Sequence, residues 1–257
     1  MPEITEIALL VALFFGAGIV KGFFGIGIPP VLLGALTILY DPRQAVALML
    51  IPIVASNARQ ALLGVSPLHI LRKHIWFLPI SSLAIFGSAY VSGGFPVSLI
   101  LVVTGAAMVL FAITSLIDRT PPITERGLVP MQLVSGLLSG LLGGVSGIWG
   151  PPMMVYLFAL RLPKAELIQT IGVFFFFMSA FMTLGVAASG EMTKSVTAFS
   201  LALILPVFIG MAIGEALRHL LDDTQFLRWF LTLFLFLGLN MIRRGVVSSH
   251  FAQCFDC

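Results

Sequence analysis

The sequence is 257 residues long, 59% hydrophobic and only 10% charged, with a mean hydropathy of +1.09. Soluble domains carry about 25% charged residues, so this composition excludes an ordinary soluble globule and indicates an integral membrane protein. A net charge of +3 does not make a nucleic-acid binder, because the basic residues lie in short segments between apolar runs rather than on one face.

In chain order, "MPEITEIALL" has acidic residues where a secretory leader has a positive region, and no small-residue cleavage site follows, so it reads as the start of the first helix. A helix of roughly 20 apolar residues crosses a hydrocarbon core about 30 Å thick. Such runs recur near 4–24, 43–64, 75–92, 97–117, 128–145, 165–188, 195–215 and 226–242, with shorter apolar pieces at 29–39 and 151–160. The expected fold is an all-α polytopic membrane bundle of about eight transmembrane helices, since a backbone in lipid must satisfy its own hydrogen bonds. The alternating pattern of a membrane barrel is absent. Residues 246–257 read as a tail, and its Cys254 and Cys257 supply only half of a zinc site.

The chain resembles itself. Gly18, Gly22, Gly25, Pro29 and Pro30 match Gly140, Gly144, Gly147, Pro151 and Pro152 at an offset of 122, while Pro42 matches Pro163 and Gly64 matches Gly185 at 121. This order of coincidences predicts two internal repeats, residues 1–120 and 125–245, each a transmembrane domain.

Orientation follows Lys and Arg in short loops. Placing "HILRKH" (69–74), "DRTPPITER" (118–126) and "RR" (243–244) together in the cytoplasm makes 4–39 and 128–160 each one net crossing. Each half then crosses four times, the repeats are parallel and both termini are cytoplasmic. If those stretches cross twice, each half has five crossings and the repeats are inverted; the balanced charge of "ALRHLLDD" (216–223) leaves that alternative open.

Both stretches contain a break, "GIGIPP" (25–30) and "GIWGPP" (147–152). Proline in a first helical turn costs no hydrogen bond, so each Pro-Pro reads as the start of a broken or re-entrant half-helix. The free N–H groups there carry partial positive charge, and transporters use such interrupted helices to bind anions near the midplane. The GxxxG spacings on their own read as helix packing. Polar residues within spans face a cavity or a neighbouring helix. Asn57 and Gln60 lie three apart on one helical face, and Gln169 and Thr170 are the polar pair of the later half. Lys21, inside the first motif, is placed to neutralise an anion or to snorkel; Trp149 and Tyr156 line the cavity or pack. Arg59 is expected to snorkel, and Glu166, Glu191, Glu215, Asp222 and Asp223 to sit at solvated ends or in loops. The four histidines, 69, 74, 219 and 250, fall in basic loops, at a helix end or on the tail. No cofactor or metal set emerges, which disfavours a membrane-embedded enzyme.

"KGFFGIGIPP", "GGVSGIWGPP", "SNARQ" and "LPKAELIQTIGVFFFF" together resemble the sulfite exporter TauE/SafE family, also called the 4-toluene sulfonate uptake permease family, over about residues 5–245. The resemblance implies a bacterial inner-membrane secondary carrier for sulfite, an organosulfonate or a related sulfur-containing or carboxylate anion, with protons as a coupling ion. It points to Gly22, Gly25, Pro29, Asn57, Gln60, Gly144, Gly147, Pro151 and Gln169 as substrate-binding positions. To these the residue reading adds Lys21, Pro30, Trp149, Pro152 and Thr170. The expected partners are the small anion and membrane lipid, not nucleic acid; a passive anion channel is the alternative function.

Overall fold

The computed structural model describes residues 4–25, 28–36, 39–40, 42–64, 66–91, 96–116, 123–218 and 222–255. Among them all regular structure is α-helical: α1 (Ile4–Phe24), α2 (Ile28–Leu36), α3 (Pro42–Ala61), α4 (Pro67–Lys73), α5 (Phe77–Val91), α6 (Val97–Leu116), α7 (Glu125–Ser146), α8 (Gly150–Ala159), α9 (Lys164–Ala188), α10 (Lys194–Ala202), α11 (Ile204–Arg218) and α12 (Asp223–Phe255). Four stretches, Ile4–Phe24, Glu125–Ser146, Lys164–Ala188 and Lys194–Arg218, are long and apolar enough to cross a membrane, or up to five if α4 and α5 make one broken span. The chain is a multi-pass membrane protein.

Three expected boundaries differ. "HILRKH" is mostly helix, since its first five residues belong to α4. The run at 195–215 divides at Leu203 into α10 and α11. The last helix continues to Phe255, so Arg243 and Arg244 lie within α12 rather than in a loop. After residue 242 the chain loses apolarity but meets no proline, and a helix needs only its own backbone to continue.

The helices form two compact units, Met1–Lys73 with Pro163–Phe226 and His74–Leu162 with Leu227–Cys257. Each draws on both sequence halves, so neither coincides with residues 1–120 or 125–245.

In the first unit α1 lies along α11 with both chains running the same way. A Cβ on Gly18 would strike the backbone of Val207, and one on Gly22 the backbone of Met211; Gly210 and Gly214 do the same against Phe15 and Ile19. Helices this close need glycine on both faces. In contrast, α3 and α9 are antiparallel. Arg43 at the start of α3 pairs with Glu191 just beyond the end of α9, at 3.4 Å, and Lys73 of α4 pairs with Glu166 in the first turn of α9, at 3.1 Å. The chain also returns on itself after α1: the Tyr40 hydroxyl, beyond α2, donates to Glu6 in the first turn of α1. Burial and that bond push the Tyr40 phenol up to about 12, which keeps it a donor at neutral pH.

In the second unit α5 lies along α7 in the same direction, with Gly136, Gly140 and Gly144 set against Phe77, Ser81 and Ile85. The Gln132 side-chain oxygen accepts from the backbone N–H groups of Trp76 and Phe77, both at 3.3 Å, and caps the start of α5. α6 and α12 approach at Gly105 and Gly238. Here too the chain returns, because the Ile123 N–H, just before α7, bonds the carbonyl of Ala159 at the end of α8 at 3.3 Å.

Candidate functional site

Both glycine-rich segments interrupt a helix by the same local geometry. Gly25 ends α1 with φ +78° and Gly147 ends α7 with φ +73°. Each donates its N–H to the carbonyl four residues earlier, Lys21 and Gly143, at 2.7 Å. This left-handed cap is open to glycine and strained for other residues. A new helix then starts: α8 has its prolines at the first positions, and α2 begins at Ile28 with Pro29 buried. Pro30 lies within α2. The Gly64–Gly185 match at offset 121 is not repeated in the backbone, since Gly64 takes φ +107° after α3 while Gly185 is buried inside α9; Gly190, beyond α9, has φ +87°.

The first unit collects most of the expected polar residues at the break. Lys21, only 2% exposed, donates through Nζ to Asn57 Oδ1 and lies over the Phe175 ring, 5.9 Å from its centroid. Gln60 Nε2 donates to the Ile168 carbonyl at 2.6 Å, and Gln169 Nε2 donates to the Ala61 carbonyl at 3.1 Å. Each amide thus ties its own helix, α3 or α9, to the backbone of the other. Gly172 permits the approach, for a Cβ there would lie 2.8 Å from Ala61 N and from Gln60 Cγ. Gly25 faces Gln60 and Ile168, each 3.3 Å from where its Cβ would be. The break of α1 and the α3–α9 contact are therefore one cluster.

That cluster has polar capacity in reserve. Asn57 Nδ2, Gln60 Oε1 and Thr170 Oγ1 are buried and have no hydrogen-bond partner among the described residues. An unpaired buried polar atom costs about 1–3 kcal/mol, an expense that binding sites tolerate because a ligand removes it. Of these atoms, Asn57 Nδ2 and Thr170 Oγ1 are donors and Gln60 Oε1 is an acceptor. Lys21, Asn57 and Gln169 each lie within about two turns of a helix end rather than midway along it.

Arg59, in the last turn of α3, is paired. Its two terminal guanidinium nitrogens hold the carboxylate of Glu215, in the last turn of α11, at 2.5 and 2.7 Å. Arg218, one turn further along α11, donates to the carbonyls of Gly22 and Phe23. It thereby caps the last turn of α1, where carbonyls lack intrahelical partners and the dipole is negative. Sequence reasoning passed over Arg218. The available signal was Glu215 and Arg218 three apart at the end of an apolar run, a spacing that places both on one face.

The second unit places the other expected residues. Trp149 and Tyr156 are buried, Gly143 and Trp149 are in close approach, and Pro151 is buried at the head of α8 while Pro152 is partly exposed. His74, expected in a basic loop, is buried; its Nδ1 lies 2.6 Å from the Tyr156 hydroxyl, and Tyr156 stacks on Phe77 at 5.6 Å. Tyr156 is therefore a packing residue with a hydrogen-bonded end. His74 sits in the turn between α4 and α5, one turn before Phe77, and so shares Tyr156 with that residue. Among the described residues no group of His, Cys, Asp or Glu gathers as a metal site, and the side chains of Cys254 and Cys257 lie outside the described residues.

Comparison with known families finds one, described as sulfite exporter TauE/SafE, whose match runs over residues 10–241. No curated protein and no solved structure matches the chain.

Proposed function

The chain belongs to the sulfite exporter TauE/SafE family, and from that premise we propose that it is a secondary transporter carrying sulfite or a related small sulfur oxyanion across the bacterial inner membrane by alternating access. The observation that carries the reading is the buried Lys21–Asn57 pair beside the Gly25 break, with unpartnered Asn57 Nδ2 and Thr170 Oγ1. A buried cation with spare neutral donors suits an oxyanion and offers nothing to a cation. The half-helix starts at α2 and α8, with Pro29, Pro151 and their glycines, supply partial positive charge in both halves of the chain. We place the site at the break of α1, where Lys21, Asn57 and Gln169 each lie within about two turns of a helix end.

We further infer inverted repeats. Helices α3 and α9 occupy the same place in the element order of the two halves and run antiparallel, and both glycine-rich stretches return to where they began. Parallel repeats would leave α3 and α9 pointing the same way. At the end of the first unit where α1, α3 and α11 finish lie Arg59, Arg72, Lys73, Lys164 and Arg218, against Arg43 and Lys194 at the other. The positive-inside rule makes the richer end cytoplasmic and puts Ile4 on the outer side, replacing the cytoplasmic termini expected from the loops.

The test is flux into proteoliposomes holding purified protein, screening sulfite, thiosulfate, sulfoacetate, an aryl sulfonate and a short carboxylate with and without a pH gradient. Saturable flux of a sulfur anion that responds to the gradient supports a proton-coupled carrier. Non-saturating flux without counter-transport makes it a channel, and no flux of any anion by folded protein refutes the reading.

A further inference from the structure

We propose that the Arg59 guanidinium is an outer docking station for the transported oxyanion, occupied in the resting protein by the Glu215 carboxylate, which the arriving anion displaces. This rests on the anion-transport reading above. Glu215 binds Arg59 through both carboxylate oxygens at 2.5 and 2.7 Å, the fork geometry by which guanidinium also receives two oxygens of a sulfite or sulfonate. The carboxylate of this pair thus stands where two oxygens of a substrate would stand. The side chains are 35% and 20% exposed, so the pair is not sealed inside the protein.

The pair is next to the buried cluster along α3. Arg59 lies between Asn57 and Gln60 in sequence on α3, and Asn57 holds the ammonium of Lys21, which is 2% exposed. Glu215 is also outnumbered. Arg218 turns its guanidinium to the carbonyls of Gly22 and Phe23 instead of to this carboxylate. Lys21, Arg59 and Arg218 therefore leave the cluster with a positive excess that one carboxylate does not cancel. An anion drawn to that excess meets Arg59 first and the buried Lys21 afterwards. A merely structural ion pair needs neither the exposure nor the surplus charge.

The experiment measures the sulfite dissociation constant of purified protein by calorimetric titration, for wild type, Glu215→Gln, Arg59→Gln and the double variant, alongside sulfite flux. Removing the internal competitor frees the guanidinium, so Glu215→Gln is expected to bind sulfite about five- to tenfold more tightly, and adding Arg59→Gln is expected to abolish that gain. If Glu215→Gln does not fold, Glu215→Asp shortens the reach by one methylene and is expected to act in the same direction. Unchanged or weaker binding in the Glu215 variant, or no sulfite binding to any of the proteins, overturns the proposal. Tighter binding without flux upholds the docking station and removes the transport reading; flux with an unchanged dissociation constant does the opposite.

Discussion

Lys21 is the residue on which the anion site depends most. It is buried against Phe175 with Asn57 as its acceptor, and burying a cation in an apolar helix is costly unless the position has a use. Lys21→Met keeps the length and removes the charge; sulfite affinity is expected to fall at least about tenfold, read as KM in the flux assay, while the protein stays folded in detergent. The two amides separate by role. Gln60 already spends its donor on the Ile168 carbonyl, so Gln60→Ala is expected to lose about 1 kcal/mol of stability in thermal denaturation. Asn57 keeps Nδ2 unpartnered, so Asn57→Ala is expected to weaken binding instead. If neither change moves affinity, both residues are interhelical glue and the site lies elsewhere. Among these residues, Asn57, Gln60, Gln169 and Thr170 stood out in the sequence because amides and hydroxyls are rare in such apolar runs. Their reciprocal bonds across α3 and α9 did not, because an offset of 121 or 122 does not bring the pairs into register.

At the scale of elements, each helix break is a backbone feature first and a proline feature second. Gly147 sits at φ +73°, where an added Cβ costs about 1–2 kcal/mol, and the prolines of α8 begin the next helix. Replacing Gly147, Pro151 and Pro152 together by Ala is expected to favour a continuous helix and to abolish flux in protein that remains folded; normal flux would remove the half-helix mechanism. The GxxxG glycines belong to packing. Gly22→Ala is expected to force α1 from α11 and cost about 1–3 kcal/mol, whereas Gly16→Ala, with nothing within 4 Å of its Cβ, is expected to be silent. Paired melting curves of the two variants check this contrast. Gly22 therefore supports the site through the α1–α11 approach, with its carbonyl receiving Arg218.

For the whole molecule, the direction of α3 against α9 carries the topology. Antiparallel equivalents require a pseudo-two-fold axis across the helices, so the halves are expected to face opposite sides of the membrane. Single cysteines at Arg43 and at Arg72, introduced after Cys254 and Cys257 are replaced, are expected to label with a membrane-impermeant thiol reagent from opposite sides, position 43 from outside. Labelling of both from one side would refute the inverted arrangement.

The amino-acid sequence by itself determined that the chain lives in a membrane, because an apolar helix needs only its own hydrogen bonds and the bilayer to be stable. It also located most of the long helices and the two glycine-proline interruptions, since glycine and proline act on the backbone locally, but not α4, the division of α10 from α11 or the far end of α12. The family was legible for the same reason: short motifs keep their order along the chain. Which residues meet was decided by the tertiary structure. Arg59 and Glu215 are 156 positions apart, Lys21 and Asn57 are 36 apart, and each compact unit is assembled from both halves. No periodicity within a helix specifies such partners, because in lipid every apolar face is equally acceptable. Only the glycine-lined close approaches and the pairing of rare polar side chains choose among them.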